Sequence, residues 1–145
     1  MGSVIAVALA LLTLAPAVQA QGGGRLSITV EGLVAGGGVL RLGLYDRKGY
    51  AADSNPVKFA DVPVKLPVTV VTFTDIPPGD YAVMTYQDVN SNDRTDSNFL
   101  GIPTEPYGFS RNARPFLSKP GFDDAKFAVS AGENSQTLRL QNTGK

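Results

Sequence analysis

The stretch Asp88-Val89-Asn90-Ser91-Asn92-Asp93-Arg94-Thr95-Asp96-Ser97-Asn98 packs six Asp or Asn residues into eleven positions. Counted from Asp88, side-chain oxygens fall at positions one, three, five and nine, on Asp88, Asn90, Asn92 and Asp96. Alternate residues of a tight coil point to one side, and this is the register in which hard oxygen ligands surround a Ca²⁺ ion. The carbonyl of Arg94 at position seven is a further expected ligand. Glu105, or Asn98, is expected to supply the remaining oxygen from outside the coil. The pattern is not that of a helix-loop-helix calcium motif, because position six is Asp93 instead of Gly and position twelve is Phe99 instead of a bidentate Glu. The competing reading is a loop that caps itself. Asp and Asn bond to nearby backbone amides and tolerate left-handed backbone, and Arg94, Arg111 or Arg114 would then neutralise the carboxylates.

The rest of the composition narrows the chemistry. The 145 residues include no His, Cys or Trp, and 13 Lys plus Arg balance 13 Asp plus Glu. Without His or Cys there is no Ser-His-Asp or Cys-His nucleophile, no disulfide and no imidazole or thiolate zinc site, so any metal must be held by oxygen. A chain with no basic excess lacks the electrostatic footprint of a nucleic-acid binder. Two carboxylates such as Asp88 and Glu105 are the minimum for a glycan hydrolase. No separate nucleophile motif accompanies them, and a non-catalytic protein is the expectation.

Residues 1–20 carry no charged side chain and are apolar from Val4 to Leu12. With Pro16 and the small-residue site Val18-Gln19-Ala20, they read as a signal peptide cut after Ala20. The apolar run is short for a membrane span, and without Cys there is no lipoprotein acylation site. Residues 21–145 are then one domain, secreted or periplasmic, stabilised by its core or a bound ion, with no stable membrane insertion after cleavage.

Within that domain apolar residues recur with period two in short runs separated by Gly, Pro, Asn and Asp, the pattern of antiparallel strands. Runs are expected at 26–30, 39–45, 68–73, 81–86, 125–129 and 137–141, with one short strand or helical turn near 57–60 and no long helix. Gly36-Gly37-Gly38 is expected to turn the first run into the second as a hairpin. Asp75 to Asp80 is expected to turn the third into the fourth, with Gly79 at positive φ. The sum is an all-β antiparallel sandwich of about seven strands, Ig-like in build.

Three motifs in order carry a family resemblance: Pro78-Gly79-Asp80-Tyr81-Ala82, the Asp88-x-Asn90-x-Asn92 loop ending in Asp96, and Gly101-Ile102-Pro103-Thr104-Glu105-Pro106-Tyr107-Gly108-Phe109-Ser110. Over about residues 26–140 the chain resembles the exported bacterial family called domain of unknown function 2141. The resemblance implies secretion and a β-rich fold with some likeness to transthyretin-like sandwiches, and no activity. In the third motif, Pro103 and Pro106 hold Glu105 so as to aim it at the Asp/Asn loop. Tyr107 and Phe109 line a shallow ligand site or, more plainly, plug one end of the sandwich. The expected function is a binding or structural domain whose Ca²⁺ loop rigidifies the following segment. Its partner would be an envelope polymer or a protein; the alternative is a metal-free interaction module using a sheet edge. Asp88 and Asp96 are expected to serve the ion without holding the ion-free fold together.

Overall fold

Side chains that alternate along each strand sort themselves to opposite faces, and here that alternation builds one shared interior. The computed structural model describes residues 22–142. It contains β1 (Gly24–Glu31), β2 (Val39–Tyr45), β3 (Lys58–Pro63), β4 (Thr69–Ile76), β5 (Gly79–Asp88), β6 (Tyr107–Phe109), β7 (Phe127–Val129) and β8 (Gly132–Arg139). Two short helices, α1 (Arg47–Ala52) and α2 (Phe122–Ala125), and a 3₁₀ turn at Ser110–Asn112 complete it. The expected signal peptide lies outside the described residues.

The strands form two sheets, β4-β1-β8 and β3-β2-β5-β6, with β7 also pairing with β5. This is the all-β sandwich expected from the alternation. Leu26, Ile28 and Val30 of β1, Val71, Phe73 and Ile76 of β4, and Leu138 of β8 meet Leu40, Leu42 and Leu44 of β2 and Tyr81 and Val83 of β5 in one buried cluster. Each fully buried aliphatic side chain contributes roughly 1.5–3 kcal/mol relative to exposure. Pairing is antiparallel except between β1 and β8, which run parallel from Gly24↔Gly132 to Glu31↔Arg139.

Two expected pairs of neighbours are instead separated. β1 and β2 are not a hairpin: Gly36, Gly37 and Gly38 take φ of 122°, 76° and 83° and carry the chain from one sheet to the other. β4 and β5 likewise belong to opposite sheets, and Asp75 (φ 57°), not Gly79, takes the left-handed conformation at the crossing. β7 pairs with β5 whereas β8 pairs with β1. A period of two tells which face a residue takes but not which strand lies alongside, so crossings between layers look like hairpins in sequence.

Helix α1 sits inside the stretch expected to be mostly polar connection. Asp46 caps it, its Oδ1 accepting from the Gly49 amide at 2.7 Å, and Asp53 ends it in a left-handed conformation at φ 50°. It buries Tyr50 against Phe122 of α2, with ring centroids 5.7 Å apart. The two helices thereby cover one end of the outer face of the β3-β2-β5-β6 sheet, packing with Tyr45, Ala82, Met84, Phe109 and Ala113.

Candidate functional site

Register places chemistry on the part of that outer face the helices leave open. Tyr107, Tyr86, Arg41 and Asp61 lie opposite one another across β6, β5, β2 and β3, and Phe109, Met84, Gly43 and Phe59 form the next row. Gly108 points the other way, where a Cβ would lie 3.2 Å from the Arg139 carbonyl and 3.3 Å from Leu138 and Leu140. The absent side chain lets β6 lie against β8, which holds its two aromatics outward. Segments 100–103 and 115–119 rise on either side of the open rows and bound a groove of about 780 Å³. Tyr107 and Phe109 line it, their rings edge to face at 6.1 Å, and neither enters the inner core. Both line the groove outside the inner core, and Phe109 also packs against the smaller buried cluster of Tyr50, Ala82, Phe122 and Ala125. Burial pushes the Tyr86 phenol above its ordinary pKa.

The Asp/Asn coil closes one end of this groove. Asp88, the last residue of β5, is fully buried. Its Oδ1 accepts from the Asn92 amide at 3.0 Å, and its Oδ2 from the Asp93 amide at 2.9 Å and from Arg41 Nε at 3.0 Å. Burial opposes its ionisation, but the Arg41 hydrogen bond and the two amides outweigh it and hold the carboxyl below its usual pKa. Asn90 Oδ1 accepts from the Asn92 amide at 3.2 Å and Asn92 Oδ1 from the Arg94 amide at 3.1 Å, so the odd-numbered side chains wind the backbone around themselves. Ser91 and Asp93 between them take left-handed φ of 56° and 67°; Asp93 thus fills the place where a calcium loop usually has Gly. Asn90 Nδ2 donates to Asp96 Oδ2 at 2.7 Å, and Asn92 Nδ2 to the two oxygens of Asp96 at 2.9 and 3.1 Å. Side chains 90, 92 and 96 thus converge, with Asp88 bonded to the coil's backbone, in a loop that caps itself.

Glu105 is aimed at the coil as its flanking prolines suggested. It is buried, and its Oε1 accepts from the Val89 amide at 2.9 Å and its Oε2 from the Asp96 amide at 3.1 Å, tying the two ends of the coil together. The Thr104 amide donates to the Asp96 carbonyl at 2.8 Å, and Ser97 bridges to Pro103. The coil and segment 99–105 are therefore joined by backbone and side-chain hydrogen bonds. Asn98 caps the next turn instead of joining the coil, accepting from the Leu100 and Ile102 amides at 2.9 and 3.1 Å.

Two organising residues escaped the sequence reading. Arg41 bridges Asp88, Asp61 at 2.6 Å and Asp93, whereas Arg94, Arg111 and Arg114 pair with no carboxylate among the described residues. Gln87, wholly buried, accepts from the Val34 amide at 2.9 Å and donates to the carbonyls of Val34 at 2.9 Å and Gly37 at 2.8 Å, anchoring the glycine loop beside the coil. Gly38 must be glycine there, since a Cβ would lie 2.1 Å from the Asp88 carbonyl oxygen. An Arg in an otherwise apolar β2 was the available signal; its partners depend on the β2–β5 and β2–β3 registers, which alternation does not supply.

Asp61, Asp88, Asp93, Asp96 and Glu105 face only Arg41 and Arg94, leaving the region three negative charges in excess. Among the described residues no three acidic side chains converge as a metal site on their own, so any ion bound here needs the amide oxygens of Asn90 and Asn92.

The fold and site define a small all-β sandwich with an acidic, self-capped coil beside an aromatic groove. Residues 28–137 match the bacterial family described as "Uncharacterized protein conserved in bacteria (DUF2141)", and the chain belongs to that family. No curated protein and no solved structure matches it. No helix among the described residues is long and apolar enough to cross a membrane.

Proposed function

We propose that this is an exported, non-catalytic binding domain in which the coil 88–98 takes up one Ca²⁺ ion and so fixes one wall of the aromatic groove. The reading rests on the convergence of Asn90, Asn92 and Asp96 beside buried Asp88, at contacts of 2.7–3.1 Å around the Asp96 carboxylate. Oxygens about 2.4 Å from a common ion are spaced by about 3 Å, so the side chains stand at the separation that neighbouring ligands need. Turning the two amides about χ2 presents carbonyl oxygens to the same point, and a dication there offsets most of the excess negative charge. Arg94 contributes its carbonyl and Glu105 works from behind, holding the coil by its backbone amides. A catalytic role for Asp88 and Glu105 is disfavoured because the oxygens of both already accept from backbone amides or Arg41. Export is supported by the composition of residues 1–20.

The recognition surface is the groove lined by Tyr86, Tyr107 and Phe109, facing a protein or polymer of the envelope. Isothermal titration tests the ion: one Ca²⁺ per chain is expected, with Mg²⁺ a poor competitor and Asp96→Ala silent. A wild-type chain that gives no heat with Ca²⁺, or an Asp96→Ala variant that binds as well, overturns the reading.

A further inference from the structure

Sheet edges invite another strand unless something guards them, and three of the four strands that end the sheets here are guarded. β3 carries Lys58, Asp61 and Pro63. β8 carries Glu133 and Arg139, and the Arg139 amide donates to Asn112 Oδ1 at 2.8 Å. β6 is three residues long, and Tyr107 exchanges backbone hydrogen bonds of 3.0 and 2.6 Å with Gln141, which closes that flank of the sandwich. β4 has none of these devices. It pairs with β1 alone, so the backbone donors and acceptors of its other side face no strand among the described residues. Residues 68–74, Val-Thr-Val-Val-Thr-Phe-Thr, are all β-branched or aromatic and uncharged, and Val68 and Val70 are exposed. Pro67 precedes this stretch, and a bulge follows it where the register jumps from Leu26↔Phe73 to Gly24↔Ile76, which leaves residues 68–73 as the free edge.

The interior is open on the same flank. With β8 tied to β6 through Gln141 and Tyr107, β4 and β3 form the opposite side, and the chain passes directly between them through residues 64–68. Ala60 and Val62 of β3 stand opposite Leu42 and Leu40 of β2 and so face the same interior. Leu40 and Leu42 are fully buried, whereas Ala60 and Val62 are only partly so. The smaller sheet thus leaves the β3 end of the larger one incompletely covered.

We infer that the β4 edge takes up an extended, uncharged segment of another polypeptide as a fourth strand of the small sheet, its alternate side chains turned inward toward Ala60 and Val62. A row of backbone donors and acceptors at strand spacing is matched by another backbone, which selects a polypeptide over a glycan or a lipid. No charged side chain stands between Lys65 and Asp75, so a charged segment would lose hydration there without gaining a partner. A second copy of this chain is a poorer match. Its own β4 has Val71 and Phe73 already buried in its own core and brings no free apolar side chain to Ala60 and Val62. The edge belongs to the sheet that carries neither coil nor groove, so the inference goes beyond the reading above and does not rest on the ion.

Titration calorimetry in EDTA with a short acetylated and amidated peptide of alternating valine and threonine tests it, with amide hydrogen exchange as the second readout. Binding is expected at one site per chain, with new protection of amides within residues 68–73. The double variant Val70→Lys/Thr72→Lys guards the edge with charge and is expected to weaken binding by about tenfold or more with an unchanged melting midpoint. Ser135→Lys/Thr137→Lys, on the opposite edge of the same sheet, is expected to leave binding unaltered. The same peptide with its amides N-methylated is expected not to bind, a loss that a merely apolar contact would not show. No binding by the plain peptide, binding by the methylated one, or protection confined to strands other than β4 overturns the inference. So does self-association in sedimentation equilibrium that Val70→Lys/Thr72→Lys abolishes, since the occupant is then a second copy.

Discussion

The outer faces of the two sheets obey the same alternation and carry opposite chemistry. On β4-β1-β8, Thr72, Ser27 and Ser135 line up across the sheet, then Val70, Thr29 and Thr137. The pairs Arg25–Glu133 and Arg139–Glu31 flank these rows. Short hydroxyl side chains are content in water, and among the described residues no helix or loop covers them. On β3-β2-β5-β6 the corresponding rows are Tyr107, Tyr86, Arg41, Asp61 and Phe109, Met84, Gly43, Phe59. Large side chains need cover, and the chain supplies it where it leaves the sandwich: between β5 and β6 as the coil and its wall, and between β6 and β7 as the second wall and α2. The sandwich is thus a platform whose two longest connections both rise on one face, the placement in which binding residues are commonly carried.

Breaking the coil should separate the two faces most. Asp88→Ala strips a buried partner from Arg41 and from the Asn92 and Asp93 amides, and is expected to cost about 3 kcal/mol in urea unfolding, even without calcium. The structure thereby corrects the expectation that Asp88 serves the ion alone, because a fully buried carboxylate is also part of the fold. Glu105→Gln comes next. Its amide accepts from Val89 but sets a donor against the Asp96 N–H, for an expected loss of about 1–2 kcal/mol. Acid sharpens the same contrast. The carboxyl of Asp88 has a lowered pKa in the folded state, so its contribution is complete above about pH 4 and is lost as pH falls through the folded value. Unfolding midpoints should fall on the acid side for the wild type, with a visibly shallower slope for Asp88→Asn. Smallest of all, Thr72→Ala or Ser27→Ala on the plain face should stay within about 0.5 kcal/mol of wild type.

Much of this was legible in residues that decide their own surroundings. Leu40, Leu42 and Leu44 announce a strand face, and Asp88, Asn90, Asn92 and Asp96 announce a coil, because each pattern is local. Pro103 and Pro106 likewise foretold where Glu105 points. What was not legible depends on partners distant in sequence. Gly36–Gly38 resembled a hairpin turn because a crossing between sheets uses the same conformations, and the parallel pairing of β8 with β1 leaves no mark in Glu133-Asn134-Ser135-Gln136-Thr137, where apolar residues are absent. Arg41 became part of the site only once register set it beside Asp88 and Asp61. Whether Tyr107 and Phe109 plug an end or line a groove was not legible, because half-buried aromatics read alike in either place; Phe109 does some of each.

Thermal melting of the chain in millimolar Ca²⁺, in Mg²⁺ and in EDTA tests the central claim most directly, since an ion bound only by the native state raises its midpoint. At an ion concentration about a hundredfold above its dissociation constant the stabilisation is about 2.7 kcal/mol, a rise on the order of 10 °C for a domain of this size. That rise is expected in Ca²⁺ and not in Mg²⁺, and is expected to vanish in Asp96→Ala. Three superimposable melts would contradict the account and leave a coil held by its own amides alone.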